Sequence, residues 1–195
     1  MNTSLRYGFV GAGFVAKFHL LALKQVRGIE VTGVSAAAGA PELASLAREW
    51  MVGDAVVYNS VAEMARHVDV IAVFAPNFAR ISIVEAIVEA VKAGAALKGV
   101  ICEKPLGRTV AEARRLVDLA ASVNLRTAYF ENQIFMKPIT AQLAQLEPVQ
   151  RRMGPLSLSR SSEEHGGPHE AWFWDPVRQG GGVLNDMGCH SIAVG

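Results

Sequence analysis

Three stretches of the chain hold residues whose chemistry depends on their spacing. Gly11-Ala-Gly13-Phe14-Val15-Ala16 follows an apolar run at 5–10. In this spacing the first glycine permits a tight turn and the second lets a pyrophosphate approach the backbone. The third small residue lets a helix pack closely on a strand. A helix start there would add N–H donors and a positive dipole end to the same phosphates. Glu103-Lys104-Pro105 follows another apolar run. A lysine at the end of a strand can polarise a substrate oxygen, although the same residue in a surface turn does nothing. Gly180-Gly-Gly-Val-Leu-Asn-Asp186-Met-Gly-Cys-His190 sets an acid and an imidazole four residues apart, on one face if the segment is helical. A carboxylate beside an imidazole orients it and raises its basicity for proton transfer near neutral pH. Taken singly, the pair also describes an ordinary helix surface.

The elements that must carry these residues alternate in type. Residues 5–10, 29–35, 55–58, 69–75, 99–102 and 125–130 read as strands. Residues 14–27, 41–50, 79–93 and 109–123 read as helices. Pro41 suits a first helical turn. Ser60-Val-Ala-Glu63 and Thr109-Val-Ala-Glu112 have the form of capping boxes. Ile81, Val84, Val88 and Val91 mark one apolar face of the 79–93 helix. Such alternation requires right-handed crossovers and a parallel sheet covered on both faces. The fold expected for residues 1–130 is therefore α/β, a doubly wound (Rossmann) parallel sheet that binds a dinucleotide. Residues 131–195 read as the start of an α+β second domain: a helix over 137–152, a strand over 156–160, and a helix over 183–194.

A dinucleotide site usually places an acid near the end of its second strand, about 20 residues past the turn. That acid accepts hydrogen bonds from the ribose 2′-OH of NAD and repels the 2′-phosphate of NADP. Here the strand ends Val34-Ser35-Ala-Ala-Ala-Gly39, with no acid before Glu42 and no Arg or Lys before Arg48. The repulsion is missing and Ser35 can donate to a phosphate, so the expected cofactor leans toward NADP(H) over NAD(H).

Composition narrows the classes. Of 195 residues, 51% are hydrophobic and 19% charged, which argues against disorder. The net charge of +1 is spread along the chain, giving no electrostatic reason for a nucleic-acid or anionic membrane partner. The most apolar stretch, 81–91, is interrupted by Glu85 and Glu89 and makes no membrane span. Two cysteines cannot form a disulfide scaffold, and with no leader-like segment the expected location is cytoplasmic. Cys102 and Cys189 read as fillers. The loop at 163–175 carries His165, His169, Trp172 and Trp174. Its histidines and acids suit a metal ion, but Gly166-Gly167-Pro168 between them forbids helical ligand geometry, so no metal site is expected. The tryptophans fit either a sugar-stacking wall or packing under a loop.

In order along the chain stand Gly11–Ala16, Ala75-Pro76-Asn77, Glu103-Lys104-Pro105, Glu131-Asn132 and the Asp186–His190 segment. Together they resemble the glucose–fructose oxidoreductase / inositol dehydrogenase (Gfo/Idh/MocA) family of NAD(P)-dependent dehydrogenases. The resemblance implies hydride transfer between a nicotinamide and a secondary alcohol or ketone of a sugar, cyclitol or related polyol. It implies catalytic roles for Lys104, Asp186 and His190. It further implies cofactor contacts from Gly11, Gly13, Phe14, Val15, Ser35, Pro76, Asn77, Glu103, Lys104 and Glu131. His190 would take the hydroxyl proton, Lys104 would stabilise the developing alkoxide, and Asp186 would position substrate or His190. The sequence departs from the family in lacking the acid after the second strand and in carrying Arg80 where a histidine is frequent. It is also shorter than the family's chains, whose second domain completes the site and the contact between subunits. It thus reads as truncated, with a homo-oligomeric longer form and little activity expected of this chain alone. A non-catalytic NAD(P)-binding regulator on the same fold is the alternative.

Overall fold

A computed structural model describes residues 4–168 and 170–195, so His169 lies outside the described residues. The chain divides into two compact units, one ending at Tyr129 and the other running from Phe130 to Gly195.

The first unit is a sheet of six strands in the order β3-β2-β1-β4-β5-β6. They are β1 (Leu5–Val10), β2 (Ile29–Ser35), β3 (Val56–Val57), β4 (Val70–Val73), β5 (Gly99–Glu103) and β6 (Arg126–Phe130). The pairs β1–β2, β2–β3, β1–β4 and β4–β5 are all parallel. Alternating with them are α1 (Phe14–Leu23), α2 (Ala40–Glu49), α3 (Val61–Met64), α4 (Arg80–Lys92) and α5 (Val110–Ala121). This is the doubly wound fold expected, with the strand order reversing at β1/β4, where such sheets take their ligands.

The core sits between the sheet and its helices. Val73, Val84, Ile87, Val88 and Leu116 are buried in one cluster. On α4 the buried ridge runs through Val84, Ile87 and Val88, while Ile81 and Val91 are only partly buried at its sides. Gly8 and Gly33 face each other across β1 and β2, and Met64 fills the space their missing side chains leave. A Cβ at either would meet Met64 at 2.9 Å. Strand glycines here admit a neighbouring side chain.

Local differences from expectation have identifiable causes. The first helix ends at Leu23 rather than 27, because the next residues tighten into i→i+3 bonds (Lys24 to Leu21, Gln25 to Ala22, Val26 to Leu23) ahead of Gly28 at φ +78°. Ser60 and Thr109 cap their helices, accepting from the N–H of Glu63 and Glu112 at 3.1 and 3.2 Å. Glu112, however, reaches back to the N–H and side chain of Arg108. That guanidinium offers a charge-assisted bond that the Thr109 N–H cannot match.

The second unit carries α6 (Lys137–Met153), α7 (Pro176–Gln179) and α8 (Cys189–Val194). The strand expected at 156–160 does not form. No other segment of this unit is a strand among the described residues past Phe130, so its backbone has nothing to pair with. The helix expected over 183–194 is interrupted: Leu184–Gly188 is a π-helical turn leading into α8. Among the described residues no helix is long and apolar enough to cross a membrane.

Asp69 ties the amino edge of the sheet together. Its carboxylate accepts from the N–H of Arg6 at 2.9 Å, from Arg6 Nε at 3.1 Å and from Lys98 Nζ at 2.9 Å. The Arg6 guanidinium holds this carboxyl well below the usual carboxylate range, against the opposing effect of burial. The folded state thus keeps the charge at pH values where the unfolded chain, titrating near 4, takes up a proton. The resulting stability is present above about pH 4 and is lost below it. Asp69→Asn is expected to cost about 1–3 kcal/mol at pH 7. In thermal melts its deficit against the wild type should shrink steadily from pH 5 to pH 2.

Candidate functional site

In the first unit the turn after β1 lies hard against the end of β4. Gly11 has φ +101°, and a Cβ there would sit 2.8 Å from the backbone N of Ala75. Both conditions demand glycine. Its N–H donates to the Ser35 carbonyl at 2.9 Å, joining the turn to the end of β2. Gly13 differs: a Cβ added there meets nothing within 4 Å. Gly13 precedes α1, whose start has neither a side-chain cap nor an acid in its first turn. Ala16 is fully buried, whereas Phe14 and Val15 are exposed. An open backbone, uncapped N–H groups and no competing carboxylate fit the pyrophosphate of a dinucleotide.

Ser35 is buried at the end of β2, and Ala36-Ala37-Ala38 leads to Gly39 at φ +76° and into α2. Pro76 is half-buried, and Asn77, buried, opens a short 3₁₀ turn to Ala79 just before α4.

The loop after β5 is held from below by Arg80. This buried side chain donates to the carbonyls of Glu103, Pro105 and Leu106 and, at 3.2 Å, to that of Ala75. Burial pulls the Arg80 pKa down, opposed chiefly by Cys102 and Glu103. Burial also pushes the Cys102 thiol up to about 11, with Arg80 opposing, so Cys102 is no nucleophile at neutral pH.

Glu103 is buried, with Oε1 3.0 Å from His19 Nε2 and Oε2 accepting from the Lys104 N–H at 2.8 Å. Its carboxylate therefore joins α1 to the backbone of Lys104, which is itself half-buried at the end of β5. His19, whose ring lies 4.7 Å from that of Phe74, was not among the expected residues. Its signal was an imidazole set next to Leu20 and three residues past Ala16, the buried residues of α1.

In the second unit His190 and Glu131 meet. Glu131 Oε1 lies 2.6 Å from His190 Nδ1 and accepts from the Gln133 N–H at 2.9 Å. Both side chains are almost wholly enclosed, at 8% and 4% exposure. The carboxylate set on His190 is thus Glu131, 59 residues away. Asp186, in the π turn, lies 3.8 Å from His165 Nε2. His165 Nδ1 in turn accepts from the Gly167 N–H at 3.0 Å. Cys189, His190 and Glu131 offer ligand atoms within 4.8 Å of one another. A metal held by His190 and Glu131 would set Nδ1 and Oε1 roughly 3.3 Å apart; at 2.6 Å a hydrogen bond joins them. Trp172 stacks on Phe173 at 3.9 Å, while Trp174 is exposed.

With this geometry in hand, comparison with known proteins gives the class. An oxidoreductase family with an NAD-binding Rossmann fold, the Gfo/Idh/MocA family, matches residues 5–131. The match covers well over half of the 195 residues, and the chain belongs to this family. Among solved structures it is similar to GenD2 from gentamicin A biosynthesis in complex with NAD (TM-score 0.78, 21% identity, covering 98% of this chain and 52% of that one). It is similar to an NAD-binding protein from Listeria innocua (TM-score 0.76, 22% identity, 98% and 53%). It is also similar to levoglucosan dehydrogenase in complex with NADH and levoglucosan (TM-score 0.72, 23% identity, 98% and 52%). At these identities the likeness is one of fold. The chain spans about half the length of these relatives. No curated protein matches it.

Arg80→Met removes the guanidinium that serves the carbonyls of Ala75, Glu103, Pro105 and Leu106. Unsatisfied buried acceptors cost about 1–3 kcal/mol each, so denaturant unfolding should show a loss of about 3 kcal/mol or more. Arg80→Lys, with a single ammonium, should recover only part of it.

Proposed function

We propose that this chain provides the cofactor unit and acid–base groups of an NAD(P)-dependent oxidoreductase. It would interconvert a secondary alcohol and a ketone on a sugar, cyclitol or related polyol. The observation that carries the reading lies within the first unit. The glycine turn after β1 and Lys104 after β5 stand at the carboxyl ends of parallel strands separated only by β4, the edge where such sheets bind ligands. Family membership supports it, as does the sugar substrate bound by levoglucosan dehydrogenase.

A nicotinamide, when bound, supplies the hydride acceptor. The residues do the rest. The N–H groups opening α1 hold the pyrophosphate, and Gly13 leaves it room. The Lys104 ammonium donates a hydrogen bond to the reacting oxygen and stabilises the charge that develops there. By the family resemblance His190 accepts the hydroxyl proton as the carbinol C–H bond breaks and C=O forms, and Asp186 orients substrate. Ser35 and the acid-free turn after it give the site no means of repelling a 2′-phosphate, and the preference leans toward NADP(H).

Fluorescence titration tests the cofactor half. NADPH should bind at least as tightly as NADH; NADH binding tenfold tighter would end the lean. Gly13→Ala should weaken both at least tenfold with the melting temperature changed little, since the added Cβ meets nothing within 4 Å in the fold. Unaffected binding would remove the turn from the site.

The chemical half is read by NAD(P)⁺ reduction across a polyol panel. His190→Ala should lower turnover at least 100-fold, the lower bound for positioned proton transfer, with cofactor affinity moved only a few-fold. Cofactor binding without turnover on any polyol would leave a non-catalytic binder.

A further inference from the structure

We infer that Glu131 is the positioning residue for His190, holding its imidazole as the Nδ1–H tautomer and leaving Nε2 as the basic nitrogen. The inference rests on the reading of His190 as proton acceptor and assigns the orienting carboxylate within it.

Glu131 is the first residue beyond β6, so its side chain is mounted at a strand end rather than on a mobile loop. The Gln133 N–H donates to the same Oε1 that faces His190, which fixes the carboxylate's rotation. An ionised carboxylate only accepts hydrogen bonds. The 2.6 Å contact therefore takes a proton on Nδ1, and in the neutral ring the lone pair falls to Nε2. The other carboxylate oxygen, Oε2, is buried with no hydrogen-bond partner among the described residues. A buried carboxylate so poorly satisfied is costly, and the cost falls when the ring beside it becomes a cation. Proton arrival at Nε2 would leave the imidazolium in direct contact with the carboxylate that orients it. An acid in this role orients the ring and stabilises its cation without itself taking the proton. Asp186, four residues before His190, lies by contrast 3.8 Å from His165.

Nitrogen-15 NMR of the histidine-labelled full chain reads the tautomer without turnover, so this inference can fail while the oxidoreductase reading stands, and the reverse. His190 should appear as Nδ1–H in the wild type and in Asp186→Asn. In Glu131→Ala it should pass to the Nε2–H form that free histidine favours. An Nε2–H ring in the wild type, or an unaltered tautomer in Glu131→Ala, overturns the assignment. If Glu131→Ala does not fold, Glu131→Gln keeps the shape and removes the charge. With a polyol that the wild type oxidises, kcat should then fall at least tenfold while KM for that polyol moves less than threefold. An unchanged kcat overturns the assignment.

Discussion

The loops after β4 and β5 turn several carbonyl groups into one buried space, and the Arg80 guanidinium occupies it. The side chain comes from the first residue of α4, so a helix start, a strand end and the Glu103–Leu106 loop are joined through one planar group. A fork of five donors in fixed geometry serves several acceptors at once, which neither lysine nor histidine can do. Two things follow for the first unit. Ala75 is anchored from behind, and Ala75 is the residue whose backbone nitrogen leaves Gly11 no room for a side chain. Lys104 stands in a loop whose neighbouring carbonyls are fixed, so its ammonium is offered from a held backbone. The glycine turn and the lysine are thus supported by one buried cation.

Buried carboxylates show how the same chemistry is put to different uses. Asp69, between Arg6 and Lys98, works at the amino edge of the sheet and is structural. Glu103 and Glu131 each face a histidine, but their second oxygens differ. Glu103 Oε2 is occupied by the Lys104 N–H, so that pair is saturated and works as a brace between α1 and the lysine loop. Glu131 Oε2 has no such donor among the described residues. Of the two, only the Glu131 carboxylate keeps an oxygen without a hydrogen-bond partner among them.

Much of the first unit could be read from local pattern. The glycine spacing, the Ser60 and Thr109 caps and the strand runs depend on neighbours within a few residues, and they form where expected. The departures come from contacts that sequence distance conceals. His19 meets Glu103 across 84 positions, Arg80 gathers carbonyls 23 to 26 positions away, and His190 meets Glu131 rather than the acid four residues before it. The i,i+4 rule that suggested Asp186 presumes a regular α-helix. The π turn at Leu184–Gly188 breaks that regularity, as such turns commonly do at functional sites.

The strand expected at 156–160 failed for a related reason: alternation of side chains specifies a face but cannot supply a partner. Polar contacts do much of the organising in this unit. Gln179, almost fully enclosed, accepts from the N–H groups of Gly181 and Gly182 and donates to the Gly182 carbonyl, while its own carbonyl accepts from Asn185. One side chain thereby shapes the glycine run that leads into the π turn and α8. His190 then takes its place from two directional anchors, the Gln179 turn before it in sequence and Glu131 across from it. Hydrogen bonds fix angles as well as distances, so the His190 ring is set in direction as well as in position.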